Sequence, residues 1–153
     1  MKHFITFLIL VTSSQIYSQC NYQTMTQNGV TLKQFNPMPI GGDKSKQIAL
    51  SISSVDGDNK LSLTIRFLKD KSEIEKNIII KLSDNSNLRI SAERIGSDYI
   101  KGSYITHMLF SLSNIEQNKL LNNKIVSVAI NENDVILAKL NANYISESLK
   151  CLN

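Results

Sequence analysis

Few residues in this chain have the type needed for chemistry, and their spacing limits what they could do. His3 and His107 are the only histidines, and Cys20 and Cys151 the only cysteines, among 153 residues. A zinc centre needs several Cys, His or carboxylate ligands, and neither an H-x-H nor a close cysteine pair occurs. No G-x-S-x-G nucleophile elbow is present. Gly41-Gly42-Asp43-Lys44-Ser45 has a phosphate loop's residue types but not its order, because Asp43 stands between Gly and Lys and the earlier glycine is missing. It reads as a polar loop. Asp56-Gly57-Asp58-Asn59 offers oxygens to a calcium ion, yet the twelfth position counted from Asp56 is Phe67 rather than the bidentate glutamate an EF-hand requires. A hairpin turn explains the same residues.

Glu132 and Asp134 also fall in a turn, where acidic residues are common solvated groups. His107 remains as the one candidate general base. As a strand residue it shares a face with Ser103, Ile105, Leu109 and Ser111, opposite Tyr104, Met108 and Phe110. A hydrolase would pair it with an acid such as Asp98, Glu116 or Asp134. No convergent set names itself, so no catalytic, cofactor-binding or metal-binding residue is assigned and no cofactor is expected.

The cysteines carry the clearest expectation. Met1-Lys2-His3, the apolar run Phe4–Val11 and the polar stretch ending at Ser18 have the order of a secretory signal peptide. Cleavage is expected between Ser18 and Gln19, which removes Lys2 and His3. The apolar run is too short to span a bilayer, and no transmembrane segment is expected in the mature chain. Export places the protein in the periplasm or outside the cell, an oxidising setting in which Cys20 and Cys151 can form one bridge. The alternative is a lipid anchor on Cys20. The preceding Tyr17-Ser18-Gln19 fits a lipoprotein signal poorly, since small residues normally stand there.

Composition narrows the class further. With 42% hydrophobic residues and a formal charge of +4, the chain can build one core without metals or several staples. The basic residues are mostly Lys and scattered, without the clustered stripe and stacking aromatics that nucleic acid requires.

The elements that would position these residues are mostly strands. Residues 19–47 read as an irregular N-terminal segment, with Val30–Phe35 as an edge strand stopped by Pro37 and Pro39. Ile48, Leu50 and Ile52, then Leu61, Leu63, Ile65 and Phe67, alternate around the 56–59 turn and predict a hairpin. Ile78–Leu82 and Leu88–Ala92 predict a second. Ile100–Leu112 predicts one long strand bent near Gly102. Ser113-Asn-Ile-Glu116 has the form of a capping box opening a helix over 113–122 with Ile115, Leu120 and Leu121. Lys124–Ile130 and Val135–Leu140 pair around another turn. Tyr144, Ile145, Leu149 and Leu152 predict a helix over 142–152. The fold class is mainly β (α+β), an antiparallel sandwich or a helix-covered sheet, with 48–153 as a single domain stapled to its N-terminus.

The Asx-rich turns, Phe110-Ser-Leu-Ser-Asn-Ile-Glu116 followed by Leu120-Leu121 and Lys124-Ile-Val126, and the terminal Tyr144–Leu152 segment resemble small exported bacterial β-rich proteins of unknown function. The resemblance implies a destination and a fold, and it transfers no catalytic residue. The expected function is an exported non-enzymatic binding or envelope accessory protein. Its partner would be another protein or a cell-envelope component. A small hydrolase centred on His107 and a lipid-anchored surface module on Cys20 are the competing readings.

Overall fold

The computed structural model describes residues 20–152; the expected signal peptide and its cleavage point lie outside them. The hairpin predicted around Asp56-Gly57 is the centre of the fold. Strands β4 (Lys46–Val55) and β5 (Asp58–Phe67) pair along their whole length, with Ile48 opposite Ile65, Leu50 opposite Leu63 and Ile52 opposite Leu61. Every one of these six side chains is fully buried. Asp56 and Gly57 both take positive φ, 49° and 94°, which is the type I′ turn that matches strand twist. The Asp56 carboxylate also accepts the Thr31 amide at 2.9 Å and so ties the turn to the segment beside β4 that contains Thr31.

The N-terminal segment differs from the irregular one expected. It forms β1 (Tyr22–Gln27), β2 (Val30–Phe35) and β3 (Met38–Gly42), all within the same sheet. Asn28-Gly29, at φ 52° and 79°, is a second type I′ turn joining β1 to β2. Pro37 divides β2 from β3, which share one side of β4 by pairing with its two halves. Pro39 is tolerated inside β3 because that strand pairs with a neighbour on one side only and its register slips between Pro39 and Gly41.

A second correction concerns residues 94–111. There is no single bent strand: β8 (Arg94–Ile100) and β9 (Ser103–Ser111) form a hairpin turned at Lys101-Gly102, with φ 49° and 78°. The resulting antiparallel sheet runs β1-β2-β4-β5-β9-β8, with β3 added beside β4. The other predicted hairpins, β6 (Asn77–Leu82) with β7 (Asn87–Ser91) and β10 (Ile125–Asn131) with β11 (Asp134–Leu137), build a four-stranded antiparallel sheet in the order β11-β10-β6-β7. The chain passes from the large sheet to the small one after β5, returns for β8 and β9, and crosses again for β10.

One core lies between the two sheets. Phe67, Met108 and Phe110 from the large sheet join Ile78, Ile80, Leu88, Ile90, Val128 and Ile136 from the small one. Leu120 of α1 (Asn114–Asn122) and Ile145 and Leu149 of α2 (Tyr144–Lys150) complete it. The predicted capping box is present: Ser113 Oγ accepts the Glu116 amide, and the Glu116 carboxylate accepts the Ser113 amide at 2.7 Å. Ile115, expected on the apolar side of α1, is 72% exposed, and Tyr104, expected on the core face, is 43% exposed. Tyr104 does share a face with Met108, but it lies at the end of β9, where its ring packs against Tyr99.

Lys46 at the start of β4 is buried, and its ammonium lies 2.5 Å from the Asp134 carboxylate at the start of β11. This pair joins the two sheets. Asp134→Ala is expected to cost about 2 kcal/mol, because it leaves an ammonium buried without its partner; Lys46→Met should cost under about 1 kcal/mol, since it also removes the desolvation. Equilibrium urea unfolding of the two variants checks that order.

Candidate functional site

The outer face of the large sheet carries a shallow trough whose origin is residue size. Across β4, β5, β9 and β8 one row reads Ser51, Ser62, Leu109, Arg94, and the next reads Ala49, Thr64, His107, Gly96. Small side chains on the central strands and glycine on β8 lower the floor between longer neighbours. The cavity encloses about 320 Å³, and Gln34 and Pro37, from β2 and the bend after it, form its opposite wall. Ser51 is buried at 3% exposure, and Pro37 and Leu109 give the walls an apolar surface.

His107 sits in this trough, partly exposed as a sheet residue. Its Nδ1 is 3.2 Å from Thr64 Oγ1, and its Nε2 is 4.0 Å from the Asp98 carboxylate. Hydroxyl, imidazole and carboxylate therefore stand in one line, although the last gap exceeds hydrogen-bond length. The other acids weighed as partners are engaged elsewhere: Glu116 closes the helix cap, and Asp134 pairs with Lys46. The floor is the middle of a sheet, so its amides lie in the sheet plane within the strand ladder and none is aimed into the trough as an oxyanion donor would be.

The cations around the trough are unequal. Lys60 is spent on Glu93, with its ammonium 2.9 Å from the carboxylate and 2.6 Å from Ser111 Oγ. The Ser111 hydroxyl, which donates a very short hydrogen bond to Glu93, and the Lys60 ammonium hold that carboxyl below its usual range. Arg66 donates to Ser103 Oγ at 3.3 Å. Arg94 makes no ion pair among the described residues, though its charge helps hold the adjacent Glu93 carboxyl low, and it borders the trough directly. It is the cation left to meet a ligand.

The other motifs resolve into structural roles. Asp43 of the Gly41–Ser45 loop accepts the Ser45 amide and hydroxyl, each at 2.6 Å, and the Lys46 amide at 3.0 Å. The Ser45 hydroxyl and amide hold its carboxyl below the ordinary range. The donors that a phosphate would need are thus filled by the chain's own anion. Asp56 and Asp58 belong to the hairpin turn, and no group of three or more His, Cys, Asp or Glu capable of holding a metal occurs among the described residues.

Cys20 and Cys151 form the expected disulfide, with Cα atoms 5.7 Å apart. That bond uses the Cys20 sulfur which a lipid anchor would need. Among the described residues no helix is long and apolar enough to cross a membrane.

Sequence reasoning placed His107 and Asp98 as candidates and missed Arg94, Ser51, Ser62, Thr64, Gln34 and Gly96 as their neighbours. The signal for the serines and Thr64 was their outward parity on β4 and β5. What brings them to His107 is the pairing of β5 with β9, two strands some forty residues apart along the chain.

These features define a mainly β, antiparallel two-sheet protein with one disulfide and a shallow, largely apolar trough carrying a few polar groups on its outer face. Comparison with protein families, curated proteins and solved structures finds no match to the chain.

Proposed function

We propose that this is an exported, non-enzymatic binding protein that takes an acidic saccharide of the cell envelope in the outer-face trough. The observation that carries the reading is Arg94, without an ion pair among the described residues, at the edge of a cavity floored by Ser51, Ser62 and Thr64. Sugar hydroxyls match the serine and threonine hydroxyls and the Gln34 amide, sugar C–H faces match Pro37 and Leu109, and a carboxylate or phosphate matches the guanidinium. Export is supported by the disulfide, which forms and persists in oxidising compartments.

The test is isothermal titration calorimetry with trigalacturonate and with neutral galactotriose. The acidic trisaccharide should bind and the neutral one should bind at least tenfold more weakly. Arg94→Ala should weaken trigalacturonate by about 10- to 100-fold, the scale of one charge-assisted hydrogen bond. Equal affinity for both sugars, or no binding of either, overturns the reading. The line of Thr64, His107 and Asp98 favours hydrolysis as the second reading. Cleavage of the trisaccharide by the wild type, abolished in His107→Ala, would replace binding with catalysis.

A further inference from the structure

Strand β8 forms one edge of the seven-stranded sheet, and all seven of its residues, Arg94 to Ile100, are exposed. Sheet edges are ordinarily blunted by proline, an inward lysine, a bulge or a covering element. β8 has none of these and carries only two charges, Arg94 and Asp98: its register with β9 is unbroken from Arg94 to Ile100, and the strand contains neither proline nor lysine. Instead it offers apolar side chains, with Ile95 43%, Tyr99 64% and Ile100 46% exposed. Tyr99 also packs against Tyr104 of β9, with ring centroids 4.8 Å apart and planes tilted by 55°, which holds the aromatic surface in place. The other edges are shorter or more polar: β11 has four residues and β7 five, and β1 presents Gln23, Thr24, Thr26 and Gln27 around a single exposed apolar residue, Met25.

The chemistry of β8 is complementary to itself when read in reverse. Ile95, Ser97 and Tyr99 lie on the face of their partners Met108, Thr106 and Tyr104, whereas Arg94, Gly96, Asp98 and Ile100 lie on the other. Antiparallel pairing that keeps both copies' sandwiches on the same side places a two-fold axis on one residue. With the axis on Ser97, each copy's Ile95 faces Tyr99 of the other, and each Arg94 lies diagonal to the other's Asp98, within reach of its guanidinium. Moving the axis to Asp98 would set two carboxylates face to face, and moving it to Gly96 would leave Tyr99 opposite Glu93.

We infer that the occupant of this edge is a second copy of the chain, joined through β8 in antiparallel register about Ser97 so that the two seven-stranded sheets become one. The interface is isologous, as two-fold dimers require. The saccharide reading also uses Arg94, but Ile95 and Tyr99 point away from the trough, and substitutions at those two positions leave Arg94 in place.

Sedimentation velocity tests it. The wild type should pass from monomer to dimer as concentration rises. An Ile95→Lys/Tyr99→Lys variant and an Ile95→Glu/Tyr99→Glu variant should each sediment as monomers, and an equimolar mixture should recover the dimer. Ser97→Cys should yield a covalent dimer on mild oxidation, since the two Ser97 positions face one another. A wild type that stays monomeric up to about 1 mM, or folded charge variants whose mixture recovers no dimer, overturns the proposal.

Discussion

Reduction of the Cys20–Cys151 bond is expected to lower the melting temperature by about 15 °C. The bridge closes a loop across a sequence separation of 131 residues, almost all of the described chain. In the chain-entropy treatment, constraining so long a loop in the unfolded state is worth about 4–5 kcal/mol. A domain of this size loses roughly 3–4 °C per kcal/mol. The bond also fixes the two ends where they are weakest. Cys20 stands two residues before β1, a strand paired only with β2, and Cys151 caps α2, whose Ile145 and Leu149 reach the core. Scanning calorimetry with and without reductant measures the shift, and a Cys20→Ser/Cys151→Ser variant should melt at the reduced temperature under both conditions. A shift below about 3 °C would show that the native contacts hold these ends without the bridge.

Gly41→Ala should destabilise by at least about 3 kcal/mol, lowering the melting temperature by roughly 10 °C. A Cβ on Gly41 would lie 2.2 Å from the Leu137 carbonyl oxygen and 3.2 Å from the Ile136 side chain. The obstacle is backbone at the junction of the two sheets, where the Leu140 amide also donates to the Ile40 carbonyl at 3.0 Å. Relief therefore requires β3 and β11 to separate. Gly96→Ala is the control: nothing lies within 4 Å of its Cβ position and its φ is not positive, so its melting temperature should stay within about 1 °C of the wild type. Equal melting of both variants would mean that β3 and β11 are not held this closely.

The strands that could be read were those with a clean alternation. β4, β5, β6 and β7 bury one face and present mostly polar residues on the other, and a two-residue period is visible in such a pattern without any partner; in β10 a register shift between Ile125 and Ser127 exposes Val126 and buries Ser127. The helix cap at Ser113 was legible for the same reason, since both of its hydrogen bonds lie within four residues. β8 was not legible. Its residues are exposed on both faces, so its polarity carries no period, and Lys101 takes a positive φ that no local preference for lysine would suggest. β3 was hidden by two prolines and two glycines, residues that normally end a strand. They are accommodated because β3 pairs on one side only and must let β11 approach.

The trough divides in the same way. That Ser51, Ser62, Thr64 and His107 face away from the core follows from parity along each strand. That they face one another follows from a sheet order, β4-β5-β9-β8, in which the chain spends residues 77–91 in the other sheet before returning. The sequence by itself determined the mainly β class, the central hairpin, the capped helix and the one available cysteine pair, because each depends on local period, turn chemistry or simple count. The tertiary structure alone decided the division into two sheets, the place of the N-terminal strands, the open β8 edge and the company His107 keeps. Those depend on pairing between distant segments, whose choice is set by the joint burial of both sheets' inner faces and leaves no periodic mark in either partner.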